Sequence, residues 1–409
     1  MERWLACTVL ALAAFILGDP AGAEEATGRD RFWVDAAALK WKIGDAPQPT
    51  PLVTAGSLAA PLPGALGQPG TSVQIGGTPV SLPTELGGRF ALGTWIDRAA
   101  GLGIELGGFV LSPGTTRQSV ATNGMPGSAT YAVPVFDLSG FTSGGAPGQS
   151  IYVLPGPFPN GPGFTGAMQR TMSAQMVGAE LVGVYRLHDD RRLKVEALAG
   201  YRWLQLKEGL EFDVQTAGVA GSSNAGQMFS SHDGFHSRSS FNGAQLGMRA
   251  ETEYAGFVLR ASLKGALGDM YRSLSIDGSS TTTAGTIFFP VSGGAGTSLG
   301  GGIFAQPSNI GTYGSHQLAG VAELGVRTGY RVTEALTPYI AYNALYVSSI
   351  IRPGDAVSPY INTTATALAA ASRASGVASP LGGPLGPTVN AGGTGVWIQD
   401  VSAGVALRF

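Results

Sequence analysis

The stretch Trp397-Ile398-Gln399-Asp400-Val401-Ser402-Ala403-Gly404-Val405-Ala406-Leu407-Arg408-Phe409 decides the fold. Trp397, Val401, Ala403, Val405, Leu407 and Phe409 share one parity, and Asp400, Ser402, Gly404, Ala406 and Arg408 share the other. Period-two alternation marks a β-strand whose two faces meet different surroundings. Both charges stand on one face, and the chain stops on an aromatic residue.

The same pattern recurs upstream. In 313–333, Leu318, Ala322, Leu324, Val326, Tyr330 and Val332 oppose Glu323, Arg327 and Arg331. In 256–276, Phe257, Leu259, Ala261, Leu263 and Leu267 oppose Arg260 and Lys264. Segment 191–203 sets Leu193, Val195, Ala197, Ala199, Tyr201 and Trp203 against Lys194, Glu196 and Arg202. Segment 237–255 sets Leu246, Met248, Ala250 and Tyr254 against Arg249, Glu251 and Glu253. Noisier strands are predicted over 31–42, 89–97, 101–112, 166–187 and 335–351. Parity shifts near Gln205, where the pattern predicts a bulge.

Composition narrows the class. Of 409 residues, 13% are charged and 63 are Gly, against roughly a quarter charged in soluble domains. Beyond residue 20 no apolar run approaches the roughly 18 residues of a membrane helix. The single Cys excludes a disulfide scaffold, and a formal net charge of -2 offers nucleic acid no basic surface. Five segments rich in Gly, Pro, Ser and Thr read as long loops: 43–88, 113–165, 216–236, 279–312 and 353–395. They hold only Asp45, Glu85, Arg117, Asp137, Asp233, Asp355 and Arg373 as charges. A soluble β-sandwich would carry charge in short, wet loops. Here charge sits within the strands, as in a barrel that is apolar outside and polar inside.

The expected fold is therefore an all-β transmembrane antiparallel barrel of about ten strands. A barrel of twelve would need a further hairpin in 113–165, where 131–138 and 150–154 are weakly strand-like. Short turns near 97–101, 188–191, 255–256 and 333–334 alternate with the five long loops. This alternation places the short turns at the periplasmic end and the long loops outside. Closure is demanded because an open sheet in lipid strands a row of unpaired amides. Upstream, Met1-Glu2-Arg3-Trp4, the apolar run 5–17 and Ala21-Gly22-Ala23 describe a secretory signal peptide over 1–23. A single barrel domain over 24–409 is expected to follow.

Several motifs carry a family resemblance: Pro51-Leu52-Val53-Thr54, Gly64-Ala65-Leu66-Gly67-Gln68-Pro69-Gly70-Thr71, and Gly88-Arg89-Phe90-Ala91-Leu92-Gly93-Thr94-Trp95-Ile96-Asp97. Ala199-Gly200-Tyr201-Arg202-Trp203-Leu204, Gln306-Pro307-Ser308-Asn309-Ile310-Gly311, and Tyr342-Asn343-Ala344-Leu345-Tyr346 leading to Arg352-Pro353-Gly354-Asp355 follow in order. In these the chain resembles the β-barrel porin family numbered seven, a group of bacterial outer-membrane proteins. The resemblance implies an outer-membrane barrel and supplies no catalytic residue. Thr94, where an aromatic is usual, and the Ala-rich stretch 365–371 depart from it.

Three constellations invite chemical readings. His232-Asp233-Gly234-Phe235-His236, placed in the third long loop, carries groups for a metal or hydrolytic site. The competing reading is a polar loop. Arg352-Pro353-Gly354-Asp355 reads as a turn pinned by Arg352 and Asp355, with ligand clasping as the alternative. Tyr313-Gly314-Ser315-His316-Gln317 reads as a rim strand, and Gly300-Gly301-Gly302 as a flexible loop. No Ser-His-acid grouping and no phosphate-cradling Gly-x-x-x-x-Gly-Lys signature occurs. Catalytic, cofactor and metal residues are accordingly expected to be absent.

The parity assignment instead predicts a charge network in the lumen. Its central members are Glu180, Glu196, Arg202, Arg249, Glu251, Arg260, Glu323 and Arg327. Arg89, Arg170, Arg186, Lys194, Lys264, Arg331, Arg408, Asp35, Glu105, Glu253 and Asp400 join them. A ten-stranded bore is barely wider than its side chains, so opposite charges there must pair. The expected function is a non-enzymatic outer-membrane barrel with a filled lumen and a structural or surface-interaction role. A narrow channel for ions or small solutes is the alternative, and an outer-membrane hydrolase the third. Outer-membrane lipid and the assembly machinery are the expected partners, with Phe409 as the assembly signal.

Overall fold

The computed structural model describes residues 31–97, 99–190, 192–283, 296–376 and 381–409. The signal segment 1–23 and its cleavage site lie outside these residues. Ten strands form the main sheet: β1 (Phe32–Ile43), β2 (Glu85–Asp97), β3 (Leu102–Leu111), β4 (Gly161–Asp189) and β5 (Leu193–Gly218). β6 (Met228–Tyr254), β7 (Phe257–Thr282), β8 (Gly311–Tyr330), β9 (Leu336–Ile350) and β10 (Thr394–Arg408) complete it. Each pairs antiparallel with its neighbour in sequence, and β10 pairs with β1 from Trp33↔Arg408 to Ile43↔Ile398. The ring is closed, so no sheet edge meets lipid.

Backbone geometry keeps the periplasmic turn between β6 and β7 to two residues. At the β6–β7 turn, Ala255 and Gly256 have φ of 50° and 82°. Two successive positive φ values fit a two-residue hairpin whose twist matches the flanking strands. A Cβ at Gly256 would also sit 3.0 Å from the Tyr330 ring.

The outer ends differ from expectation. β4 to β7 run 29, 26, 27 and 26 residues, whereas a tilted strand crosses the bilayer in roughly 9–11. They extend well beyond the apolar band, so the loop predicted over 216–236 shrinks to 219–227. Likewise Gly114–Thr122, expected in a loop, pairs with the outer part of β4 and prolongs the line of β3. The weakly strand-like pieces of 113–165 do not enter the ring. Tyr131–Ala132 joins Pro51–Ala55 and Ser72–Gly76, while Pro134–Asp137 joins Gly148–Ile151 and Tyr360–Ile361. The barrel therefore has ten strands.

The Ala-rich stretch folds as a helix, Ala367–Ala374, as the high helix propensity of Ala favours. Thr366 caps it by accepting from Ala369 N. Asp137 ties two loops by accepting from Ser139, Thr142 and Thr363. Burial would raise its carboxyl, but these donors hold it below its ordinary value.

The bulge predicted near Gln205 is absent. Register runs unbroken through Val177↔Gln205 and Gln205↔Ser240. What changes there is the surroundings. On β5 the outward residues pass from Tyr201 and Trp203 to Gln205, Lys207 and Glu211, while the inward ones pass from Glu196 and Arg202 to Leu204, Leu206, Leu210 and Phe212. Outward residues likewise change from Val177 to Gln175 on β4, from Leu267 to Asp269 on β7, and from Ala38 to Lys40 on β1. Inward residues change from Glu180 to Met176, from Lys264 to Met270, and from Asp35 to Leu39 and Trp41. Polarity reverses on both faces of the wall at one height.

Candidate functional site: a charged lumen beneath an apolar lid

All eight central charges predicted for the lumen lie on inward positions within the apolar band, and the fold joins them through ion pairs. Arg89 reaches Glu323 at 3.2 Å and Asp400 at 3.1 Å. Arg202 also binds Glu323, and its Nη1 donates to Gln245 Oε1 at 3.0 Å. Gln245 Nε2 donates to Glu180 at 2.8 Å, and Glu180 pairs with Lys264. Arg249 bridges Glu105 at 2.9 Å and Glu196 at 2.7 Å, with Trp33 Nε1 donating to Glu105 at 2.7 Å.

Glu251 receives Arg260 Nε at 2.7 Å and Arg408 at 2.8 Å. Asp35 receives Arg327 and the Tyr339 hydroxyl. Charges that would be prohibitive alone are here neutralised by close partners. Of the wider set, Arg170 meets no acid among the described residues. It donates to Gln48 Oε1 at 2.7 Å in the outer half, while Arg331 and Glu253 pair at the periplasmic rim, 3.0 Å apart. Two small cavities remain, of about 140 Å³ beside Arg89, Lys264 and Asn343, and about 180 Å³ beside Lys194 and Arg408.

Above this network a large apolar cluster fills the bore. Phe212, Phe235 and Phe241 from the wall, Trp41 from β1 and Phe304 from the loop between β7 and β8 are fully buried in one cluster. The rings of Phe212 and Phe304 lie 5.8 Å apart. Sequence reasoning missed this lid. The signal was present in the inward runs Met168, Met172, Met176 on β4 and Met270, Leu274, Ile276 on β7.

Buried polar anchors also pierce the lid. Asp233 accepts the backbone N–H groups of Ile303 at 2.9 Å, Phe304 at 2.8 Å and Ala305 at 2.6 Å. Burial pushes its carboxyl up to about 7, although these amides and His232 pull the other way. Arg352 Nε lies 2.7 Å from Glu208 Oε2, with both side chains buried. Arg352 therefore anchors the segment Pro353–Ala356 to the barrel wall and does not pin its own turn through Asp355.

The motif 232–236 is also relocated, from a loop to the strand β6. His232 and His236 face outward, while Asp233 and Phe235 face inward. The wall itself separates His232 from Asp233, so the two do not converge on one site. Outside, His232 Nδ1 lies 2.8 Å from Asp213 Oδ1. Burial would lower the imidazole, but Asp213 raises it above its ordinary value. Among the described residues no group of three or more His, Cys, Asp or Glu is placed to hold a metal ion.

At the periplasmic end Phe409 is exposed. Its N–H donates to Phe32 O at 2.9 Å, and its carbonyl accepts from Phe32 N at 3.0 Å. The last residue thus closes the seam between β10 and β1.

A family model described as "Putative beta barrel porin-7" matches residues 33–409. No curated protein matches the chain. Among solved structures, the outer membrane protease OmpT from Escherichia coli is similar at TM-score 0.40 and 11% identity, over 94% of this chain and 99% of that one. A Pseudomonas aeruginosa FadL homologue gives TM-score 0.20 at 9% identity, over 93% and 90%. An anion-selective porin from Comamonas acidovorans gives 0.16 at 8%, over 93% and 100%.

Proposed function

The chain belongs to the putative beta barrel porin-7 family of outer-membrane β-barrels, and on that premise we propose that it is a closed, non-enzymatic barrel with a structural or surface-interaction role. One observation carries this reading: the charged lumen ends against the buried cluster of Phe212, Phe235, Phe241 and Phe304. An ion leaving the Arg202–Glu323 level outward would have to shed its water into that cluster. The hydrolase reading loses its support once His232 and Asp233 face opposite sides of the wall.

As partners we propose the lipid of the outer membrane and its assembly machinery. Phe409 would be read by that machinery before its strand pairs with β1. The decisive experiment is planar-bilayer recording of the purified protein. No steady conductance is expected. Large, steady currents would refute the closed barrel, and small, rare openings would favour a narrow channel.

A further inference from the structure

Just above the apolar band, the outward face of the barrel holds two cations side by side. Lys207 on β5 and Arg238 on β6 are direct register partners, and both are exposed. Like charges directly opposite each other destabilise a strand pair. No ion pair to an acid relieves either one among the described residues.

The outward acids of β5 to β7 are engaged or displaced. Asp213 is held by His232 at 2.8 Å and Asp269 by His316 at 2.9 Å. Glu211 and Asp277 stand four residues farther from the band than Lys207 and Ser273, with Asp277 3.8 Å from His236. The guanidinium of Arg238 is also aimed. The amide oxygen of Gln205, turned toward it, accepts Nη2 at 2.7 Å and Nε at 3.0 Å.

A pocket of about 360 Å³ adjoins this pair, with Ser173, Gly209, His236 and Ser273 in its lining. A side chain at Gly209 would enter the space beside Ser173 Oγ, 3.0 Å from its Cβ, and His236 Nδ1 at 3.2 Å. The pocket therefore presents two cations, hydroxyls and an imidazole; Glu208 also lines it, but its carboxylate is turned inward to Arg352, and among the described residues no acid pairs with either cation. That is the donor set of a phosphoryl group.

Height selects the source. Lys207 lies four residues beyond Trp203, the last large apolar outward residue of β5. That is about 13 Å of strand, or roughly 9 Å of height at a tilt near 45°. Long cationic side chains reach back toward the interface from there. We propose that Lys207, Arg238 and this pocket bind the phosphoryl headgroup of an outer-leaflet lipid. The proposal rests on the outer-membrane location and is independent of whether the lumen conducts.

Native mass spectrometry of the full mature protein in detergent tests it. The probes are diphosphorylated lipid A, the same glycolipid stripped of both phosphates, and inorganic phosphate. Lipid A should be retained at least tenfold more tightly than the stripped form. The double variant Lys207→Gln, Arg238→Gln should lose that preference, and Gly209→Leu, which fills the pocket with both cations in place, should weaken it. Lys40→Gln with Lys42→Gln, which removes outward cations on β1, should leave it unchanged. Equal retention of the two glycolipids by the wild-type protein overturns the proposal even if every variant misfolds. Displacement of lipid A by equimolar inorganic phosphate also overturns it, reassigning the pocket to free anions.

Discussion

The inner and outer halves of this barrel share one wall and one register, yet their chemistry is opposite. In the inner half, Leu263, Val326 and Val405 face out while Arg202, Arg249 and Glu323 face in. In the outer half, Lys207, Arg238 and Asp277 face out while Phe212, Phe241 and Ile276 face in. Strand geometry dictates only that successive side chains alternate. Which parity is apolar is decided by whether lipid or water lies outside. One molecule therefore behaves as a membrane barrel below and as a water-soluble β-barrel with a hydrophobic core above. The difference also assigns the work: ion pairing fills the inner bore, and burial of apolar area closes the outer one.

The sharpest way to break this comparison is to give the outer interior the chemistry of the inner one. Phe241→Arg places a charge among apolar side chains, directly opposite Leu204 on β5 and Met270 on β7. A Phe→Ala change in a packed core costs about 3–5 kcal/mol, and burying an unpaired charge adds to it. The variant should lose its outer half, exposing the 303–305 segment to protease while the inner barrel persists. Limited proteolysis in membranes reads this directly. An intact outer half would show that the lid is wet.

Gln205 shows how much of this was legible in the sequence. The alternation from Leu193 to Trp203 names the lipid face correctly, and the ten strands and the charged lumen follow from it. Beyond Trp203 the apolar residues swap parity, at Leu204, Leu206, Leu210 and Phe212. Read as geometry, that swap is a bulge. It is a change of solvent, because a hydrophobic pattern reports what surrounds a face and not how the backbone turns. The same confusion put His232 and Asp233 in a loop, since Gly, Ser and His in an outer wall lack the apolar signature of a membrane strand. The pairing of Arg352 with Glu208 spans 144 positions of sequence and leaves no local trace. The eight lumen charges were legible because their parity was, whereas their partners were not.

A second, smaller test stays within the inner half. Leu263→Arg, Val326→Arg and Val405→Arg should each cost roughly 2–4 kcal/mol near the bilayer midplane. Ser262 and Ser402 sit beside Leu263 and Val405 on inward positions, and Arg there should cost less. Urea unfolding in lipid vesicles measures all five. Equal losses on both faces would remove the distinction between a lipid face and a lumen face on which the comparison rests.

The smallest effect concerns the anchor that holds the lid down. Asp233→Ala leaves the N–H groups of Ile303, Phe304 and Ala305 without their acceptor, at about 1–3 kcal/mol for buried donors left unsatisfied. The sign of the pH effect follows from the carboxyl itself. In the closed lid its pKa stands at about 7, raised from an ordinary 3.8 by burial. When the 303–305 segment lifts away, the carboxyl is hydrated and returns toward its ordinary value. Between pH 4 and 7 the closed form thus holds a proton that the open form releases, so closure weakens as pH rises through that window and levels off above it. Hydrogen exchange of the three amides, corrected for intrinsic rates, should show greater protection at pH 5 than at pH 8. Asp233→Asn keeps an acceptor oxygen without a titrating group and should flatten that dependence while costing less than Asp233→Ala. Protection that instead increases with pH would mean that the lid closes on a carboxylate, and that the three amides outweigh the burial around them.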